Sequence, residues 1–164
     1  MMSRQVHLER LGITCSKPFD AVVAALRSTL GQPDVADLFA RARAAKSYSD
    51  VEHIVQGALG RSGLMLFAEY DLGLFLNPKD GSDSPKSVRF LVGNPLIMKE
   101  MVKRVPDAGS YAPVTILVDE RPDGVHISYE RMERYLLPYG DSDALAVARN
   151  LDSRIATLLR GCAS

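Results

Sequence analysis

The spacing of hydrophobic and polar positions changes several times along the chain, and each change marks an element. In QVHLERLGIT, Val6, Leu8 and Arg10 alternate with Gln5, His7 and Glu9. A period of two predicts a first strand with one wet face. In SKPFDAVVAALRSTLG, Phe19, Val22, Val23, Leu26 and Leu30 recur at helical spacing between Pro18 and Gly31. A proline in the first turn and a glycine past the end bracket a helix. Two further helical runs follow. DVADLFARARAAK gathers Val35, Leu38, Phe39 and Ala42 on one side, and SDVEHIVQGALG places Ser49 and Glu52 at capping-box spacing before Gly60. Together they predict a helical insertion over about residues 33–60.

The second half reads mainly as strands. GLMLFAEYDLGLFLN is rich in strand formers but contains Gly73, which predicts a bend or bulge in one strand or a break between two. Residues 77–86 read as a surface loop, and SVRFLVG as the next strand. PVTILVD and VHISYE form a hairpin around Arg121, Pro122, Asp123 and Gly124. With Val118 opposite Ile127, the residues Ile116, Val118, Val125, Ile127 and Tyr129 share one apolar face. A slip of one residue would put half of them in water. In FLVGNPLIMKEMVKR a strand passes straight into a short helix, with Asn94 as N-cap and Pro95 as first helical residue. The last helix carries the stripe Ala144, Leu145, Ala148, Leu151, Ile155, Leu158 and Leu159, with Asp141 and Asp143 at its start and Arg160 near its end. This order predicts an α+β, two-layer fold: a mainly antiparallel sheet of four to five strands covered by helices on one face.

Composition narrows the picture. A chain of 164 residues with 46% hydrophobic content supports one core, so residues 1–164 read as a single domain. Lys plus Arg equals Asp plus Glu at 20 each, so no net field attracts nucleic acid or an anionic membrane. The start MMSRQVHLERLG lacks the apolar core of a secretory signal, and no run approaches the roughly 18 apolar residues of a membrane span. The expected location is the cytoplasm. Cys15 and Cys162 match no metal-ligand spacing and read as free thiols.

At this point a resemblance enters. LVGNPLIMKEM, DAGSYAPVTILVDE, DGVHISYE and ARNLDSRIATLL resemble the bacterial family called domain of unknown function 302, over roughly Phe19 to Leu159 and interrupted by the helical segment Pro33 to Gly60. Its most specific features are Gly93-Asn94-Pro95 and Tyr111-Ala112-Pro113. The resemblance implies a small homodimeric domain of strand, helix, four strands and helix, similar to the TATA-binding-protein fold. It implies no activity.

The candidate chemistry is sparse. The turn at Gly93 and Asn94 opens a helix whose free N–H groups can receive a carboxylate or phosphate, or the Asn94 side chain satisfies those donors itself. Met65 and Phe67, with Met98 and Met101, are adaptable apolar side chains that either line a pocket or fill the core. Glu69 and Asp71 fall on the same strand face as Met65 and Phe67, where two carboxylates beside apolar groups can act as acid and base. A strand end emerging into water gives the same residues. His7, His53 and His126 all read as solvent-facing, with His126 opposite Asp119. Motifs for metal, triad or nucleotide chemistry are missing, so no metal, haem, flavin or other cofactor is expected. Arg27, Arg41, Arg43 and Lys46 read as a solvated helix face, not a nucleic-acid surface. The leading expectation is a non-catalytic module binding a small ligand with an apolar body and an anionic end. The alternatives are an enzyme using Glu69 or Asp71, and a structural domain docking partners through the inserted helices.

Overall fold

A computed structural model describes residues 3–76 and 84–164; most of the predicted loop 77–86 lies outside them. Its five strands are β1 (Arg10–Cys15), β2 (Met65–Asp71), β3 (Ser87–Gly93), β4 (Val114–Arg121) and β5 (Gly124–Glu130). They form one antiparallel sheet in the order β1-β5-β4-β3-β2. The helices are α1 (Phe19–Thr29), α2 (Val35–Ala44), α3 (Tyr48–Ala58), the single turn α4 (Gly73–Leu76), α5 (Pro95–Val102), α6 (Met132–Leu136) and α7 (Ser142–Ala163). Short 3-10 turns at Pro106–Ser110 and Leu137–Tyr139 complete the elements of the described residues. Among the described residues no helix is long and apolar enough to cross a membrane.

The predicted hairpin register is the observed one: Val118 pairs with Ile127 and Asp119 with His126. Alternation therefore turns Ile116, Val118, Val125, Ile127 and Tyr129 to one side, where they pack with α1 and α7 into the core. The α+β two-layer fold stands, with the helices on one face of the sheet.

Three local readings need correction. The first strand begins at Arg10, not Gln5: β5 ends opposite it at Glu130, and beyond that, among the described residues, only Glu9 O is paired, accepting from Arg131 N at 3.0 Å. The capping box of α3 is formed by Ser47 and Asp50 instead of Ser49 and Glu52; each side chain accepts from the other's backbone N–H. Gly73 is not a bend within a strand: β2 stops at Asp71, and Gly73 opens α4. The irregularity in β2 lies earlier, where pairing jumps from Leu66 to Ala68 and leaves Phe67 as the extra residue of a bulge.

One buried carboxylate ties the layers together. Asp152 of α7 is 1% exposed and accepts hydrogen bonds from the Tyr129 hydroxyl at 2.5 Å, Met132 N–H at 2.8 Å and Glu133 N–H at 3.0 Å. It thus caps α6 from another helix and locks the end of β5 against α7. The acidic residue sits four positions after Ala148 and three before Ile155, on the apolar stripe that predicted α7.

Replacing Asp152 with Ala should cost about 3 kcal/mol or more in urea unfolding, because two buried donors and one half-buried one lose a charged acceptor. Burial, reinforced by the Asp152 charge and hydrogen bond, raises the Tyr129 pKa. The native state therefore keeps a proton that the unfolded chain releases above about pH 10. Stability should be intact below that pH and fall above it, and thermal melts should show a shallower alkaline loss in Tyr129→Phe.

Candidate functional site

The segment read as an insertion is an excursion closed at its base. Residues Gly31 and Gly60 meet there: Leu64 O accepts from both Gly31 N and Gly60 N at 3.0 Å, and Leu66 N donates back to Gly31 O at 2.8 Å. A Cβ on Gly60 would lie 2.4 Å from Gly31 N, and one on Gly31 would lie 1.8 Å from Ala58 O. Only glycine fits at either position. The crossing delivers the α2–α3 hairpin beside the β2 edge, where α3 also packs on α5.

A cavity of about 370 Å³ lies between this hairpin and the body. Leu38, Phe39, Ala42, Val51 and Val55 form its hairpin wall. Phe67, Val92, Val114, Met98, Met101 and Leu151 form much of the facing wall, and Gly93, Asn94 and Pro113 lie at the turn between sheet and α5. The bulge at Phe67 interrupts strand alternation just where this residue meets the cavity. Among the described residues no charged side chain lines it.

Among the described residues Asn94 is the one polar side chain in that wall, and both ends of its amide are engaged. Its Oδ1 accepts from Leu96 N at 2.8 Å, and its Nδ2 donates to Gly63 O at 3.0 Å. Ile97 N and Met98 N donate to Asn94 O at 3.1 and 3.0 Å, and Pro95 has no N–H. The first turn of α5 therefore offers an anion no free donor, and the charge-receiving reading of this turn gives way to the capping one. Gly93 has no positive φ, and a Cβ there would meet Phe67 and Pro113 at an ordinary 3.5 Å. Its place is in the wall, not in a strained turn.

Of the residues singled out from sequence, Phe67, Gly93, Asn94, Met98 and Met101 come together at this cavity. Met65, Glu69 and Asp71 do not. Met65 is fully buried but pairs with Gly93, while Leu66, Glu69 and Asp71 pair with Val92, Phe90 and Val88. The bulge thus separates Met65 from the carboxylates' face and overturns the predicted shared face. Glu69 is gripped by the Arg27 guanidinium, with Arg27 Nε to Glu69 Oε2 at 3.0 Å, and Asp71 is exposed at the strand end. Arg27 accordingly belongs to an ion pair on α1, and Arg41 to one with Asp37 at 3.8 Å. His126 is half-buried, not solvent-facing as expected, and pairs in register with Asp119, but its Nε2 lies 2.8 Å from Asp123 Oδ1 while Asp119 holds Arg121.

The hairpin wall and Ala112-Pro113 were missed as site residues. A signal existed: the apolar sides of α2 and α3 have no place in a plain sheet-and-helix layer, so they had to face something outside it.

Replacing Asn94 with Ala removes the α5 cap and the tie to Gly63 together. Chemical denaturation should show a loss of about 2 kcal/mol, twice that of capping alone.

The comparisons with known proteins agree with the architecture. The crystal structure of an uncharacterized conserved protein DUF302 from Bacillus stearothermophilus superposes with a TM-score of 0.65 at 13% sequence identity, covering 93% of this chain and 97% of that one. This likeness concerns the fold alone. No curated protein matches the chain. A family model described as Domain of unknown function DUF302 matches residues 39–160, a range that starts inside α2 and takes in α3, so the excursion is not outside the family's span. On that match, the chain belongs to the DUF302 family.

Proposed function

We propose that this protein binds a small, uncharged apolar molecule in the cavity between the α2–α3 hairpin and the sheet. The observation that carries the reading is the wall: about 370 Å³ lined by aliphatic, aromatic and methionine side chains, with one polar side chain among the described residues, whose amide is already hydrogen-bonded at both ends. The volume lies within the roughly 300–1,000 Å³ of ligand pockets. Apolar cavities of this kind favour hydrocarbon over water, because water there finds no partners.

The anionic end expected from sequence is dropped. Among the described residues a carboxylate in this wall would meet no cation and no free N–H, and burying an unpaired charge is costly. Met98 and Met101 supply flexible side chains that adjust to ligand shape. The reading is one of binding: Glu69 and Asp71, the carboxylates proposed as acid and base, lie away from the cavity.

Titration with the neutral dye N-phenylnaphthylamine should give saturable fluorescence enhancement at one dye per chain, with Kd on the order of 10–100 μM. Ala42→Phe fills the cavity from the hairpin side and should weaken the dye roughly tenfold or more without lowering thermal stability. Equal affinity in wild type and this variant would place the dye elsewhere.

A further inference from the structure

The hairpin that walls the cavity is attached to the body in an unusual way. Apart from the Tyr48 side chain, which meets Lys99 of α5, the side-chain hydrogen bonds and ion pairs described for residues 33–58 close within the hairpin: Asp34 with Asp37, Ser47 with Asp50, His53 with Ser49, and Arg41 with Asp37. Its backbone hydrogen bonds are likewise local, and the ties to the body begin only at the Gly31 and Gly60 crossing. Across the remaining interface the hairpin meets the body through apolar side chains facing the cavity, of which Leu38 and Val55 are buried. Among the described residues one polar cluster spans it: Lys99 Nζ of α5 lies 3.8 Å from the centroid of the Tyr48 ring at the start of α3, and the Tyr48 side chain and the Glu52 charge, both of α3, help to raise the Lys99 pKa.

These features separate a fixed base from a lightly held body. The base cannot slide, because two glycine backbones are in contact and share the Leu64 carbonyl. The helices beyond it can swing without breaking a hydrogen bond to the sheet. Tyr48 is 47% exposed and Phe39 48% exposed, so neither large ring on the hairpin is anchored in the core.

We infer that the α2–α3 hairpin is a hinged lid over the apolar cavity, pivoting at Gly31 and Gly60, with Lys99 against the Tyr48 ring as its latch. The inference rests on the cavity being the binding site. It deepens that reading by assigning the ligand's route: an apolar molecule enters under the hairpin, which closes on it by burying the facing sides of α2 and α3 against it. Ligand and lid then stabilise each other, since each supplies the apolar surface the other lacks. The lid also restricts the ligand to a compact, uncharged molecule that the closed hairpin can cover.

Hydrogen exchange and stopped-flow fluorescence on the whole chain test this. Amides of residues 35–58 should exchange through a cooperative opening of lower free energy than that of β3, β4 and β5, and N-phenylnaphthylamine should slow that opening selectively. Lys99→Met and, independently, Tyr48→Leu alter exposed side chains and keep the fold. Each should raise the dye's dissociation rate by about two- to five-fold, the range of an exposed cation–π contact. Dye that binds wild type with its dissociation rate unchanged in both variants and with hairpin exchange unaffected would overturn the lid and leave the cavity reading standing. A dye that fails to bind wild type at all would overturn the cavity reading and the lid with it.

Discussion

Two backbones in contact, at Gly31 and Gly60, decide where about a sixth of the chain goes. Their N–H groups converge on a single acceptor, Leu64 O, immediately before β2 starts. The excursion between them therefore leaves and re-enters at one point on the edge of the sheet. A side chain at either position would collide with backbone, which cannot move aside as a flexible side chain would. Without this crossing α2 and α3 would have no fixed relation to β2 and α5, and the cavity would have one wall.

The rest of the body supplies the other wall by being rigid. The sheet alternates large apolar residues toward α1 and α7, and the buried Asp152 binds Tyr129, Met132 and Glu133 at once. A carboxylate so placed has a demanding geometry: satisfied, it specifies how α6, α7 and β5 meet, and left without its donors it would be costly. The α5 helix is held with similar economy by Asn94, which caps the helix with one end of its amide and reaches Gly63 with the other. Gly63 lies just after the crossing, so the same asparagine connects the floor of the cavity to the base of the hairpin.

This division gives the molecule two mechanical characters. The sheet and α7 are cross-linked by backbone ladders and a buried polar network, whereas the α2–α3 hairpin is held by apolar contact across the cavity and by Lys99 over Tyr48. Segments with few such ties to the body open at lower free energy than the core. In the proposed binding role, the wall that yields is this hairpin.

Much of this was written in local patterns. Period-two alternation placed β4 and β5 in register, since a slip of one residue would have exposed Val118 and Ile127. Asn94-Pro95 announced the start of α5 because capping chemistry needs only neighbouring residues. The apolar sides of α2 and α3, with Phe67, Met98 and Met101, carried the material of a pocket. What depended on tertiary structure were relations between segments far apart in sequence. The bulge at Phe67 moved Met65 away from Glu69 and Asp71, Arg27 of α1 claimed Glu69, and the donors of the Asn94 turn were used up by Asn94 itself. Local patterns determine which face of an element is apolar, because that face depends on backbone period alone; which partner each face meets depends on how the chain returns on itself, here through two glycines and a shared carbonyl.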